Sequence, residues 1–238
     1  MNKKYLIFGA TGSIGSSLAD KLYNEKKDCH LIGRNADELK TLANKLNYSF
    51  SVHDVLKIDF AKKLLDDLSN TDVLGIAYCI GSIDIKPFKL TKPSDFISSY
   101  VLNLVAVTDV IRVLLENLKK NKASLVLFSS VAAKKGFTNH SIISSAKSGI
   151  EGLTVALAAE FAPSIRVNCI APSLSKSKMA KNVIKNLKIE ESIANLHPLK
   201  RIGNPSDAAS LANFLLSENS SWITGQIIGV DGGRGNIA

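Results

Sequence analysis

The sequence predicts an α/β protein, a doubly wound parallel sheet of about seven strands with helices on both faces. Three observations carry this. Short apolar runs alternate with amphipathic stretches from end to end of the 238 residues. The first apolar run opens directly into a glycine-rich turn. No Pro/Gly/Ser linker, internal repeat or low-complexity tract divides the chain, so residues 1–238 read as one domain.

The elements follow in order. KYLIF is a strand and SSLADKLYNEK a helix with its apolar residues on one face; CHLIG and ADELKTLANKL repeat the pair. YSFSVHD precedes the helix FAKKLLDDL, and VLGIAYC precedes a longer helix from around Asp95 to Lys119. In the second half come the strand SLVLFSS, a helix carrying Lys147, the strand IRVNCIA and a polar, lysine-rich stretch. DAASLANFLLS forms the last helix and QIIGV the last strand. Strands joined by helices of this length pair in parallel and are covered on both faces. Ser173 to Leu199 is the region expected to move.

Composition narrows the function classes. With 45% hydrophobic and 21% charged residues, the chain can bury a substantial core. Only four apolar residues, YLIF, precede the first glycine, too few for a secretory or membrane segment, so a cytoplasmic protein with no membrane association is expected. Cys29, Cys79 and Cys169 are odd in number, far apart and set in apolar runs, as suits reduced thiols rather than disulfides or a metal site; no metal is expected. The net charge of +9 comes mainly from 25 lysines spread along the chain, with arginine only at 34, 112, 166, 201 and 234. Diffuse lysine is a solvated surface, and with no groove-reading motif beside it, no nucleic-acid partner is expected.

The turn Gly9-Ala10-Thr11-Gly12-Ser13-Ile14-Gly15 lies between the first strand and the first helix. Its glycines permit a tight turn and let the backbone approach a pyrophosphate, whose charge then sits at a helix N-terminus. The second strand ends Gly33-Arg34-Asn35. An acidic residue there would hold an adenosine ribose and repel a 2′-phosphate, whereas glycine and arginine make room for the phosphate and offer it a guanidinium. NADP(H) is therefore expected over NAD(H); the alternative is a solvated arginine opening a helix.

The segment Leu125 to Ala162 carries Ser130, Ile143 and Lys147 at intervals of 13 and four residues. With the glycine turn and the C-terminal stretch RIGNPSDAASLANFLLSENSSWITGQIIGVDGG, it resembles the short-chain dehydrogenase/reductase family over nearly the whole chain. The resemblance implies a Rossmann-type sheet in the order 3-2-1-4-5-6-7 and the family's smaller, homodimeric or homotetrameric branch. Two residues rather than three separate Gly9 from Gly12, as in the epimerase-like branch, and Ser13 takes the place of a glycine.

The resemblance also implies site roles. Ser130 would hold a substrate carbonyl, Lys147 the nicotinamide ribose, and Asn103 a water linked to the lysine. Asp54 and Val55 would meet the adenine, Gly81 would lend backbone beside the cofactor, and Pro172 would flank the nicotinamide. Ser177, or Ser173 where the family has glycine, would contact the carboxamide. The family's tyrosine, which moves the proton, is replaced by Ile143, and isoleucine can neither give nor take one. His140 stands three residues before Ile143 and seven before Lys147, on the same side of a helix that starts early enough, and histidine titrates near neutrality. Asn139 and Ser141 beside it are N-cap candidates. Ser130 or Ser144 relaying through water is the next candidate; Tyr78 and Tyr100 could approach from neighbouring elements.

The expected function is oxidoreduction of a carbonyl or alcohol. A non-catalytic dinucleotide-binding sensor or assembly subunit is the alternative, and an isomerase or dehydratase the third. Lysines 176, 178, 181, 185, 188 and 200, with Arg201, fall on the implied substrate lid and raise the expectation of an anionic substrate.

Overall fold

The computed structural model describes residues 2–237, with the side chains of Lys181 and Asn182 outside the description, and its sheet runs β3-β2-β1-β4-β5-β6-β7. The strands are β1 Asn2–Phe8, β2 Cys29–Gly33, β3 Ser49–Val52, β4 Thr71–Tyr78, β5 Ser124–Phe128, β6 Arg166–Pro172 and β7 Ile227–Val230. All pairs are parallel. Every residue of β2 and β5 is buried, which is why these strands read as unbroken apolar runs rather than alternating ones.

The helices are α1 Ser13–Asn24, α2 Ala36–Leu46, α3 Phe60–Asp67, α4 Pro93–Tyr100, α5 Ala106–Lys120, α6 Ser141–Phe161, α7 Leu187–Asn195 and α8 Pro205–Leu216. Leu18 and Leu22 of α1, Leu39 and Leu46 of α2, and Leu215 of α8 close one core over Ile7, Leu31, Ala77 and Val126. On the opposite face Leu64 of α3, Val110 and Leu114 of α5 and Ile150 of α6 close a second core over Leu6, Phe8, Tyr78 and Leu125. Alternate residues of one strand therefore feed two cores. Because β1 has β2 on one side and β4 on the other, the connections diverge at their C-terminal ends and leave a crevice there.

A π-helical turn, Val101–Val105, joins α4 to α5. The stretch Pro93–Lys120 is long and apolar enough to cross a membrane by length and composition, yet its inner face packs on the sheet through Val107, Val110 and Leu114. Ile97, Val101 and Val105, spaced four apart, remain exposed, as does Val155 of α6. The polar stretch after β6 is more ordered than its composition suggests: α7 forms there, with Asn186 accepting the Ile189 N–H at 3.0 Å. At the start of α6, Asn139 is left-handed and His140 itself is the N-cap residue, so neither Asn139 nor Ser141 caps the helix.

Candidate active site

A single cleft of about 680 Å³ runs along the C-terminal ends of the strands, from the glycine turn to the start of α6. Of the residues singled out from sequence, Gly9, Thr11, Gly12, Ser13, Ile14, Arg34, Asn35, Asp54, Val55, Gly81, Ser130, His140, Lys147, Pro172 and Ser177 all line it. Gly15 and Asn103 do not, and each acts on the cleft from behind.

At one end the chain leaves β1 with Gly9 at φ +71°, while the Gly9 and Ala10 N–H groups donate to the Ile32 carbonyl at 2.9 and 3.1 Å. A side chain on Gly9 would press on the Cys79 backbone, and one on Gly15 would run into the Gly9 carbonyl oxygen. Gly15 therefore serves close packing of α1 on the turn. No side chain caps α1 at Gly12, and its first turn holds no acidic residue, so the first-turn N–H groups are open to an anion in the cleft. These residues fit a dinucleotide pyrophosphate.

Arg34 is exposed at the end of β2, and Asn35 caps α2 by accepting the Glu38 N–H at 3.1 Å. Glu38 also lines this end of the cleft, a carboxylate the sequence reading did not weigh. Its oxygen lies 2.8 Å from the Lys178 ammonium, which holds the Glu38 carboxyl below the usual carboxylate range. Of the lid cations, Lys178 alone among the described side chains lines the cleft. Lys176 pairs with Glu190, Arg201 with Asp207, and Lys200 donates to the Asn195 carbonyl. Lys185 and Lys188 lie off the cleft, and the Lys181 side chain falls outside the described ones. Among the described side chains, the lid lysines therefore present one ammonium, that of Lys178, to the cleft.

At the other end, Lys147 is buried and donates to the Phe128 carbonyl at 2.9 Å. Burial brings its pKa down to about 8. A side chain on Gly81 would stand 3.0 Å from both the Lys147 ammonium and the Asn103 Oδ1, so only glycine leaves these two groups in place. Asn103 is fixed by donating to Ser99 and Ser82 and accepting the Ser82 N–H. The two adjacent serines separate by environment. Ser129 is buried against Glu151 at 2.9 Å; Ser130 is partly exposed, accepts the Ala132 N–H at 3.2 Å and keeps its O–H free.

Ile143 is buried in the wall of the cleft, and no tyrosine replaces it. Tyr78 is buried against Phe8, and Tyr100 donates to the Ser145 carbonyl at 3.2 Å; neither lines the cleft. His140 does line it. Its Nδ1 lies 2.7 Å from the Thr138 carbonyl oxygen, which can only accept, so the neutral ring carries its hydrogen on Nδ1 and keeps Nε2 free.

Further relationships emerge in three dimensions. His197, buried, donates from Nδ1 to the Ile193 carbonyl and accepts the Ser173 hydroxyl at Nε2, both at 2.8 Å. Ser177 accepts the Ala180 N–H at 3.0 Å and keeps its own O–H. The Arg234 guanidinium sits 4.8 Å from the centre of the Phe137 ring, and both residues line the cleft.

A family model described as enoyl-(acyl carrier protein) reductase matches residues 9–234. The chain belongs to the short-chain dehydrogenase/reductase family. The 3-oxoacyl-[acyl-carrier-protein] reductase FabG of Rickettsia prowazekii (strain Madrid E) is 32% identical, covering 97% of this chain and 96% of its own. A short-chain type dehydrogenase/reductase from Mycobacterium ulcerans superposes with a TM-score of 0.91 at 26% identity, over 98% of this chain and 90% of the other. ElxO, solved with NADP bound, superposes at 0.87 and 26% identity, over 98% and 99%. The relatives it matches are oxidoreductases, and it shares their Rossmann-type sheet.

Proposed function

We propose that this protein is an NADP(H)-dependent oxidoreductase acting on a carbonyl or alcohol, with His140 moving the proton that tyrosine moves elsewhere in the family. The observation that carries this reading is the free Nε2 of His140 in the cleft that Ser130 and Lys147 also line.

When bound, the dinucleotide supplies or accepts the hydride. Everything else falls to the chain. Ser130 donates its free O–H to the substrate oxygen, and protonated His140 gives that oxygen its proton from Nε2 on reduction, or takes it back on oxidation. Lys147 holds the ribose hydroxyls, while Asn103 fixes the Gly81–Ser82 turn. Ser173, its hydrogen committed to His197, can only accept; Ser177, its oxygen committed to Ala180, is left to donate. Together they complement the two faces of a carboxamide.

Arg34 and the absence of an acidic residue at the end of β2 support NADP(H) over NAD(H). The Glu38 carboxylate would oppose a 2′-phosphate, but Lys178 already meets its charge. ElxO, at 26% identity, carries NADP. The exposed row Ile97, Val101 and Val105, with Val155, supports a homodimer that buries it. Three free cysteines suit a reducing, cytoplasmic setting.

Ile143 favours a second reading, a dinucleotide-binding sensor or assembly subunit without turnover. Isomerase or dehydratase chemistry rests on the Gly9–Gly12 spacing alone. Titrating NADPH into the protein and then following NADPH oxidation across a panel of aldehydes and ketones separates them. Binding with turnover supports the reductase; binding without turnover across the panel supports the sensor.

A further inference from the structure

Arg234 follows the last strand, in a loop built to hold it. The Asp231 carboxylate accepts the N–H groups of Gly233 and Gly235, both at 2.8 Å, and Gly232 and Gly233 take left-handed conformations that favour glycine. The Arg234 carbonyl accepts from the Lys135 ammonium at 2.7 Å. The guanidinium itself lies against the Phe137 ring, which packs on His140 with centroids 5.4 Å apart. It thus stands one aromatic ring away from the proposed proton donor.

Among the described residues this guanidinium has no hydrogen bond and no ion pair. Arg112, Arg166 and Arg201 all have partners. Asp231, the nearest carboxylate in sequence, already serves two backbone N–H groups. Half-burial without a counter-ion is costly, and it draws the Arg234 pKa down. Five N–H donors in a planar fork therefore wait at the substrate end of the cleft. The same cleft is lined by apolar side chains that include Ile83, Ile85, Leu102, Ile143 and Ile193.

We infer that Arg234 is a specificity-determining residue that binds a carboxylate on the substrate, so that the compound reduced at His140 and Ser130 is an oxo acid with an apolar segment between its carbonyl and its carboxylate. This rests on the reading of the cleft as a reductase site. A carboxylate matches the planar guanidinium fork in shape and can accept two parallel N–H bonds from it. The anion expected from the lid lysines is thus reassigned to Arg234.

The test is calorimetric titration of the NADPH-loaded protein with acetoacetate, levulinate and 5-oxohexanoate, each against its methyl ester. The expected result is that at least one acid binds about tenfold to a hundredfold more tightly than its ester, the range for a charge-assisted pair. Arg234→Met should remove that preference with NADPH affinity unchanged, and Arg234→Lys should restore part of it. Phe137→Leu, which removes the stacking partner and leaves the cation, should weaken acid binding and spare ester binding. Acids and esters binding alike across the series, or a preference that survives Arg234→Met, overturns the assignment. Because the readout is binding, a protein that holds the acid through Arg234 and never oxidises NADPH would refute the reductase reading alone.

Discussion

The Lys147 ammonium donates to the Phe128 carbonyl oxygen at 2.9 Å, tying the middle of α6 to the end of β5 inside the core. Burial lowers its pKa to about 8 against about 10.4 for an unfolded lysine. Between those values the unfolded chain binds more protons than the folded one, so stability rises with pH across that window; below pH 8 both forms are charged and the full cost of burial is present. The buried thiols of Cys29, Cys79 and Cys169, pushed up to about 12, oppose this above pH ~9, so the test is a difference: the stability of native apoprotein minus that of Lys147→Met, by urea denaturation, should rise with a slope approaching about 1.4 kcal/mol per pH unit across the window. The same variant should bind NADPH more weakly, since the ribose contact goes with the ammonium.

Arg34 has no bonded partner among the described residues, so its removal should be read in the ligand rather than in stability. Arg34→Ala should weaken NADPH binding about tenfold to a hundredfold and leave NADH almost unchanged, as expected of a guanidinium–phosphate contact. Equal losses for both nucleotides, measured by fluorescence titration, would place Arg34 outside the phosphate site.

The exposed row on α4 and the π-helical turn predicts assembly. Val105, 47% exposed at the end of that row, can be replaced by aspartate without touching either core. Light scattering should find a dimer or larger assembly for the native chain and a smaller species for Val105→Asp. A native monomer would remove the interface.

The fold was legible because its signals are local. Strand runs such as CHLIG and helices such as ADELKTLANKL coincide with β2 and α2, since two-sided burial and helical periodicity are written into consecutive residues. The lysine-rich stretch hid α7, although Asn186 ahead of Leu187 was a capping signal in plain view. The glycine turn was equally legible, as the join of β1 and α1 that lines the cleft. The substrate end was not. Glu38 with Lys178, Ser173 with His197, and Phe137 with Arg234 join residues 140, 24 and 97 positions apart, and no periodicity encodes such meetings. Burial removed Tyr78, and a hydrogen bond to the Ser145 carbonyl away from the cleft removed Tyr100, both of which sequence alone left open.

On the proposal above, proton transfer survives the loss of the tyrosine because His140 offers a free Nε2 in the same cleft. The decisive measurement is the rate of NADPH oxidation, with saturating carbonyl substrate, for the native chain, His140→Ala and the double variant His140→Ala with Ile143→Tyr. Expected are turnover by the native chain, a kcat loss of about 10²–10⁴-fold in His140→Ala with NADPH affinity unchanged, and recovery when tyrosine returns one helical turn before Lys147. A His140→Ala protein as fast as the native chain would contradict it.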